Sequence, residues 1–211
     1  MAKKKAPTSS FSKPIRWFWM CFLAAVLGAA LIFILASLGA FGEMPDTTAL
    51  ENPRTNLATE IISSDGKTLG KFYYEDNRTP VAFSKLPKHL VEALIATEDV
   101  RHYEHAGIDA RGTMRAIVKL GKGGGASTIS QQLAKQLFHG EGSRNKAGRI
   151  AQKIKEWVIA TRLERQYTKE EIIAQYFNIY DFGNNADGIR SASRIYFGKE
   201  PIDLSINESA M

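Results

Sequence analysis

Cysteine is almost absent from this chain of 211 residues, since Cys21 is the only one. A single thiol forms no intramolecular disulfide, which excludes a disulfide-stapled fold but leaves the redox compartment open. Internal repeats are absent, and so are acidic residues in the first 16 positions, where five lysines and arginines lie. The length is sufficient for one membrane segment and one domain with a hydrophobic core.

The positive charge is concentrated at the N-terminus. A formal net charge of +6 and a pI of about 9.4 suggest a nucleic acid or an anionic surface as partner. After residue 16, however, the chain carries 23 basic and 22 acidic residues and is nearly neutral. A basic arm beside an apolar run is typical of membrane topology rather than of nucleic-acid binding. We therefore predict a basic cytoplasmic tail over residues 1–16 and no nucleic-acid partner.

No charged residue lies between Trp17 and Phe41, a run of 25 residues. A helix of this length crosses a hydrocarbon core of about 30 Å, and Trp17 and Trp19 suit the headgroup level at its basic end. A cleaved signal peptide is the alternative, but its apolar region usually has only about 7–15 residues. We predict one retained transmembrane helix over 17–41. The N-terminus is then cytoplasmic, and the residues after the helix lie on the extracytoplasmic side of the membrane.

The chain after the apolar run predicts a linker and a β-hairpin over residues 42–83, followed by a mainly α-helical domain over 84–211. Asp65-Gly66 supplies the positive φ angles of a tight turn between two short strands. Apolar residues at helical spacing then recur, and the longest predicted helix covers residues 146–166. The fold class is therefore mainly α, with a small β element near the membrane.

Several polar residues predict where the helices begin. Ser84, Asp109 and Ser127 are candidate N-caps, and the pairs Thr168/Glu171 and Ser205/Glu208 have the spacing of capping boxes. The second box begins a helix only a few residues before Met211. We therefore expect the chain to be a fragment of a longer protein.

A strongly basic segment lies in the middle of the helical domain. Between Arg111 and Lys155 there are ten lysines and arginines but one acid, Glu141. Such a segment attracts phosphates or anionic headgroups, although a solvated charged face is the simpler interpretation. The glycine-rich residues 121–125 followed by a helix start favour an anion site, because backbone N–H groups are free there. Glu98 and Glu156 flank the segment, and sugar-transfer chemistry commonly uses two carboxylates.

Five segments resemble, in order, the signatures of the peptidoglycan glycosyltransferases, glycosyltransferase family 51. Residues 98–107 (EDVRHYEHAG) are similar to EDxxFxxHxG, and residues 125–132 (GASTISQQ) match GxSTxxQQ. Residues 153–156 resemble the end of RKxxE, while 171–178 and 188–199 are similar to the fourth and fifth signatures. The chain thus resembles the N-terminal part of a class A penicillin-binding protein or a monofunctional transglycosylase.

The resemblance implies a lysozyme-like helical domain that polymerises lipid II into glycan strands. It implies inversion at C1, release of undecaprenyl pyrophosphate, and a location in the bacterial cytoplasmic membrane. The implied partners are lipid II, the growing glycan chain and the bilayer, with other cell-wall synthesis proteins as further candidates. A divalent cation, Mg²⁺ or Mn²⁺, is implied as well, whereas the residues themselves leave a metal site undetermined.

The resemblance also assigns roles to residues. Glu98 is the expected general base for the acceptor hydroxyl, and Glu156 is expected to orient the pyrophosphate or a divalent ion. Asp99 and His105 are expected to shape the turn after Glu98. The residues expected to hold the pyrophosphate and the sugar are Ser127, Gln131, Gln132, Lys135, Lys153 and Lys155.

The chain departs from the signatures at two positions. His102 replaces the phenylalanine of the first signature, a change expected to alter packing. Gln152 replaces the arginine of the third, and Arg149, one turn earlier, is expected to compensate partly as a supporting residue. Tyr196 and Phe197 in the fifth signature are interpreted as core residues.

Two rival functions remain at this stage. A lysozyme-like peptidoglycan hydrolase would use a glutamate in a similar helical fold, but would not need the basic segment. A non-catalytic cell-wall scaffold would keep the fold, but the presence of both Glu98 and Glu156 disfavours it. An assay with lipid II and pre-made glycan distinguishes the three functions. The glycosyltransferase makes glycan from lipid II, the hydrolase breaks glycan down, and the scaffold does neither.

Overall fold

The computed structural model describes residues 12–40, 59–66, 68–72, 78–119, 125–138 and 145–211. The chain divides into two compact units, residues 1–43 and residues 44–211. The predicted linker over 42–58 and most of the predicted basic tail lie outside the described residues. The predicted domain boundaries therefore stay predictions.

The first unit contains one long helix, α1 (Ser12–Ser37). It begins five residues before the predicted start at Trp17, so that Lys13 and Arg16 belong to it. It also ends before the predicted end at Phe41, because the chain turns at Gly39, whose φ is 85°. Within the described residues it is the one helix long and apolar enough to cross a membrane.

A two-stranded antiparallel sheet begins the described part of the second unit and confirms the predicted hairpin. Strand β1 (Thr59–Ile62) pairs with β2 (Thr68–Phe72), and Ile61 lies opposite Gly70. Gly66 in the connecting turn has a φ of 80°, which a side chain would disfavour.

Helices form most of the second unit, which confirms the mainly α prediction. The α-helices are α2 (Lys88–Glu98), α3 (Ala110–Val118), α4 (Ile129–Phe138), α5 (Lys146–Gln166), α6 (Lys169–Ile179), α7 (Gly188–Phe197) and α8 (Ile206–Ser209). Single 3₁₀ turns occur at Phe83–Lys85, His102–Glu104 and Pro201–Asp203. The predicted helix over 146–166 has the observed bounds of α5.

Helix α6 lies between two apolar clusters and contributes to both. Ile172 and Tyr176 belong to a cluster with α4 and α5, whereas Ile173 and Phe177 pack with α2 and α7. The other buried members of the first cluster are Ile129, Leu133, Ala134, Ile159 and Leu163. Each large apolar side chain buried in this way stabilises the fold by about 1.5–3 kcal/mol. The clusters hold together α2, α4 and α5, the helices that carry the polar site residues.

The helix caps were predicted with mixed success. Both capping boxes are present, at Thr168/Glu171 and at Ser205/Glu208. The prediction that Ser84 caps α2 is wrong, because Ser84 lies in a 3₁₀ turn and Pro87 occupies the N-cap position.

The assignment of Tyr196 to the core is also wrong. Tyr196 is 44% exposed, and its hydroxyl group donates to the carbonyl of Phe182.

Candidate active site

Glu98 is the last residue of α2, and its carboxylate is exposed. Gln132 of α4 donates its Nε2–H to Glu98 Oε2 at 2.7 Å. The Oε1 of Gln132 in turn accepts from the Tyr176 hydroxyl group at 3.2 Å. Two predicted site residues are therefore in contact, and a third residue orients the amide that joins them. Sequence reasoning missed Tyr176, because an aromatic residue at helical spacing is typical of a core.

Asp99 follows Glu98 and holds the turn in place. Its carboxylate accepts from His105 Nε2 at 3.0 Å and from the backbone N–H of Ile129 at 3.1 Å, and it lies 3.4 Å from His102 Nδ1. Burial opposes ionisation, but the contacts to both histidines and to Ile129 hold the pKa of Asp99 well below its usual range. This placement supports the predicted role of Asp99 and His105 in shaping the turn.

The start of α4 is already satisfied by protein groups. Asp99 receives the N–H of Ile129, and the Thr128 hydroxyl group receives the N–H of Gln131 at 3.2 Å. Thr128 rather than Ser127 therefore acts as the side-chain cap. The expectation that these backbone N–H groups receive a substrate anion is wrong for the two that are occupied in this way.

Gly107 anchors the loop that follows the turn. Its carbonyl accepts from Thr128 Oγ1 at 2.7 Å and from Gln131 Nε2 at 3.1 Å. A Cβ atom at Gly107 would lie 2.8 Å from the carbonyl oxygen of Ala160, so only glycine fits against α5. The Gln131 side chain is 1% exposed. In this structure Gln131 therefore positions the loop, and the prediction that it binds substrate stays a prediction.

Ser127, Lys153 and Glu156 form a second polar group. Lys153 Nζ donates to Ser127 Oγ at 2.8 Å and to Glu156 Oε2 at 3.0 Å. Glu156 is buried, whereas Lys153 is half-buried, so the accessible part of the pair is its positively charged member. A buried carboxylate needs such a partner, because an unpaired charge is costly to remove from water. The three residues that the sequence predicted at the donor side are therefore in contact.

The remaining predicted residues lie on the same two helices. Lys135 is exposed on α4, one turn after Gln132, and Lys155 is partly exposed on α5. Arg149 is exposed near the start of α5, one turn before Gln152. The compensation of Gln152 by Arg149 stays a prediction.

A cleft of about 270 Å³ lies against Glu98 and the start of α4. Its wall includes Ser127, Arg101, Asp109 and Arg115. Arg101 forms an ion pair with Asp109, which also caps α3 by accepting the N–H of Gly112. This ion pair holds the pKa of Asp109 below its usual value. Sequence reasoning assigned no individual role to Arg101 or Arg115, because their place on the cleft wall depends on the loop between α2 and α3.

The carboxylates Glu98, Asp109 and Glu156 provide no ready-made site for Mg²⁺ or Mn²⁺. Both ions prefer oxygen ligands, and Mg²⁺ commonly uses one or two carboxylates together with substrate phosphates. Glu156 is already neutralised by Lys153, and Asp109 by Arg101. Glu98 is left as the exposed carboxylate of the cleft. The protein groups described here therefore do not fit the implied cation by themselves.

Comparisons with known proteins identify the family of the chain. The model of the family described as Transglycosylase matches residues 65–211. Penicillin-binding protein 1A of Pseudomonas aeruginosa is 35% identical over 201 residues, which cover 93% of this chain and 24% of that protein. Penicillin-binding protein 1A of Escherichia coli is 39% identical over 173 residues, 80% of this chain and 20% of that protein.

A third relative, penicillin-binding protein 1F of Bacillus subtilis, is 41% identical over 160 residues, 74% of this chain and 22% of that protein. The chain thus spans between a fifth and a quarter of the length of these relatives. The family match covers well over half of the chain and includes every residue of the cleft. The chain therefore belongs to the transglycosylase family.

Proposed function

We propose that the chain is a peptidoglycan glycosyltransferase that polymerises lipid II with inversion at C1 and release of undecaprenyl pyrophosphate. The observation that carries the proposal is the arrangement around the start of α4. There Gln132 contacts the exposed Glu98, while Ser127, on the wall of the same cleft, contacts the Lys153–Glu156 pair. A base in the cleft and a cation that contacts Ser127 of the cleft wall suit a displacement that moves a proton and releases an anion.

Glu98 is the proposed general base. Its carboxylate takes the proton of the C4 hydroxyl group of the acceptor sugar as that oxygen forms a bond to C1 of the donor. The hydrogen bond from Gln132 fixes one carboxylate oxygen. The other oxygen is left for the substrate, and catalysis by a positioned base depends on this kind of orientation.

Lys153 is the proposed contact for the leaving pyrophosphate. As the C1–O bond breaks, its electron pair moves onto the pyrophosphate, and a nearby ammonium group stabilises the growing negative charge. Ser127 and Glu156 hold the Lys153 side chain in place. Arg115 on the cleft wall supplies further positive charge, and Lys135 and Lys155 lie on the helices that carry Gln132 and Lys153. A divalent cation, if used, would be recruited chiefly by the phosphate oxygens of the substrate.

The apolar helix α1 suits a substrate that stays in the bilayer. It is long enough to span a membrane, and its N-terminal end carries Lys13 and Arg16. The positive-inside rule then places the N-terminus in the cytoplasm and the second unit outside, in a bacterial cytoplasmic membrane. The growing glycan, lipid II and other cell-wall synthesis proteins are the proposed partners.

Polymerisation of lipid II by the parent chain and by E98Q tests the proposed function. We expect glycan strands from the parent, and loss of about 100-fold or more in E98Q, because general base catalysis typically contributes 10²–10⁴-fold. E92Q is the matched control, since Glu92 is an exposed residue of the same helix. Polymer made equally well by E98Q would rule out the assigned base. Breakdown of pre-made glycan by the parent would favour a hydrolase.

A further inference from the structure

Three metal-binding side chains converge in the turn after Glu98. One ligand atom each of Asp99, His102 and His105 lies within 4.8 Å of the others. His102 is 0% exposed, and the side chains of Asp99 and His105 are also buried. Among the described residues, this is the one group of three or more histidine, cysteine or acidic side chains with such a geometry.

The spacing of the three ligand atoms suits a small tetrahedral ion. Asp99 oxygens lie 3.4 Å from His102 Nδ1 and 3.0 Å from His105 Nε2. Zinc binds nitrogen and oxygen at about 2.0–2.2 Å in a tetrahedron, so its ligands are about 3.3–3.5 Å apart. Both separations are close to this value, and the two histidine nitrogens lie within 4.8 Å of each other, so the side chains would close around an ion as it binds.

Packing alone does not account for His102. The family signature has phenylalanine at this position, and an apolar ring would fill the same buried space. The Nε2 of His102 and the Nδ1 of His105 have no hydrogen-bond partner among the described residues. His102 therefore adds a third potential ligand beside the Asp99–His105 pair, while its outer ring nitrogen stays without a partner among the described residues.

We propose that Asp99, His102 and His105 bind one transition-metal ion of the zinc class. Two imidazoles and one carboxylate form a donor set that suits zinc rather than Mg²⁺, and they leave a fourth position for water. On binding, each imidazole presents a lone pair from the nitrogen that faces Asp99, and its proton moves to the opposite nitrogen. The site is separate from any cation that the substrate pyrophosphate recruits.

Two cavities border the cluster. Asp99 lines the cleft that contains Glu98, and His105 lines a neighbouring cavity of about 360 Å³ together with Glu104 and Arg111. A bound ion would connect the residue after Glu98 to the 3₁₀ turn at His102–Glu104. It would therefore brace the turn that carries the proposed base.

Metal titration of the full chain in detergent tests the site. The protein carries C21S, so that its one thiol does not compete, and any histidine tag is removed. We expect one equivalent of Zn²⁺ to bind in calorimetry, and one Co²⁺ to give the intense visible absorption of a tetrahedral site. H102F, which restores the signature residue, should weaken Zn²⁺ binding by more than about 100-fold, because even outer-shell changes weaken such sites by 10–100-fold.

The matched control is H89Q, since His89 contacts the carbonyl of Leu204 rather than the cluster. It should bind Zn²⁺ like the parent. The proposal is overturned if the parent shows no saturable Zn²⁺ binding, or if H102F binds Zn²⁺ as tightly as the parent. X-ray absorption of the zinc-loaded parent provides a readout that does not depend on the folding of a variant. Scattering from two imidazoles supports the site, and a spectrum without them overturns it.

Discussion

The amide of Gln132 connects two helices to the proposed base. Its Nε2 donates to Glu98 and its Oε1 accepts from Tyr176, so neither end is free to rotate. Burial of the phenol, with Tyr180 and Glu98 nearby, raises the pKa of Tyr176 far above its ordinary value. Tyr176 therefore remains a neutral donor, and it fixes which end of the amide faces the carboxylate.

Replacing Tyr176 with phenylalanine should slow polymerisation without preventing folding. Loss of one neutral hydrogen bond, worth about 1 kcal/mol, corresponds to a roughly fivefold lower kcat. We expect KM to change little, because Tyr176 does not line the cleft. Y180F is the control, since it removes a hydroxyl group from the ring stacked on Tyr176. Equal losses in the two variants would show that Tyr176 has no specific positioning role.

Gly107 is a residue whose backbone contacts tolerate no side chain. Its φ is +89°, and an added Cβ would meet the backbone of Ala160 at 2.8 Å. We expect G107A to lower the free energy of unfolding by about 2–5 kcal/mol, from left-handed strain together with overpacking. Gly198 is a matched control, because its φ is +66° but nothing lies within 4 Å of its Cβ position. G198A should cost only about 1–2 kcal/mol in urea unfolding. Similar losses in both variants would contradict the contact argument.

Helix starts show what sequence patterns predict and what they do not. The box at Thr168/Glu171 was predicted because it needs only residues three positions apart, and local spacing determines it. At the start of α4, Ser127 and Thr128 are equally good caps by sequence. The choice depends on distant groups, since Ser127 contacts Lys153 and Thr128 contacts Gly107. Local chemistry therefore predicted that a helix begins there, but not which hydroxyl group faces the site.

The capping box of α6 should contribute measurably to stability. Thr168 Oγ1 accepts from the backbone N–H of Glu171 at 3.2 Å, and the Glu171 carboxylate accepts from the backbone N–H of Thr168 at 2.7 Å. T168A should lower the free energy of unfolding by about 1 kcal/mol, which corresponds to about 2–4 °C in Tm for a domain of this size. T168S keeps the hydroxyl group and should melt near the parent. Loss of stability in T168S as large as in T168A would argue against the cap.

At the scale of the whole molecule, the sequence predicted the order of the elements better than the composition of the cleft. The signatures brought together Glu98, Ser127 and Gln132, because each lies at the end or start of a helix near the same core. Tyr176 and Arg101 join the site through packing across long sequence separations, which periodicity does not report. Gln131 was assigned to the substrate by its position in a signature, which did not predict that its side chain is buried against Gly107.

Folding should depend on the second unit, whereas access to a membrane-bound substrate should depend on the first. Both apolar clusters are built from residues 81–204, so a variant lacking residues 1–43 should melt near the temperature of the parent. With lipid II dispersed in detergent, both proteins should polymerise at similar rates. With lipid II in liposomes, the truncated variant should be at least about tenfold slower, because an anchor raises the local concentration of enzyme. An unrelated apolar helix of equal length in place of residues 12–40 should restore the rate. Equal rates of parent and truncated protein on liposomes would show that α1 does not serve substrate access.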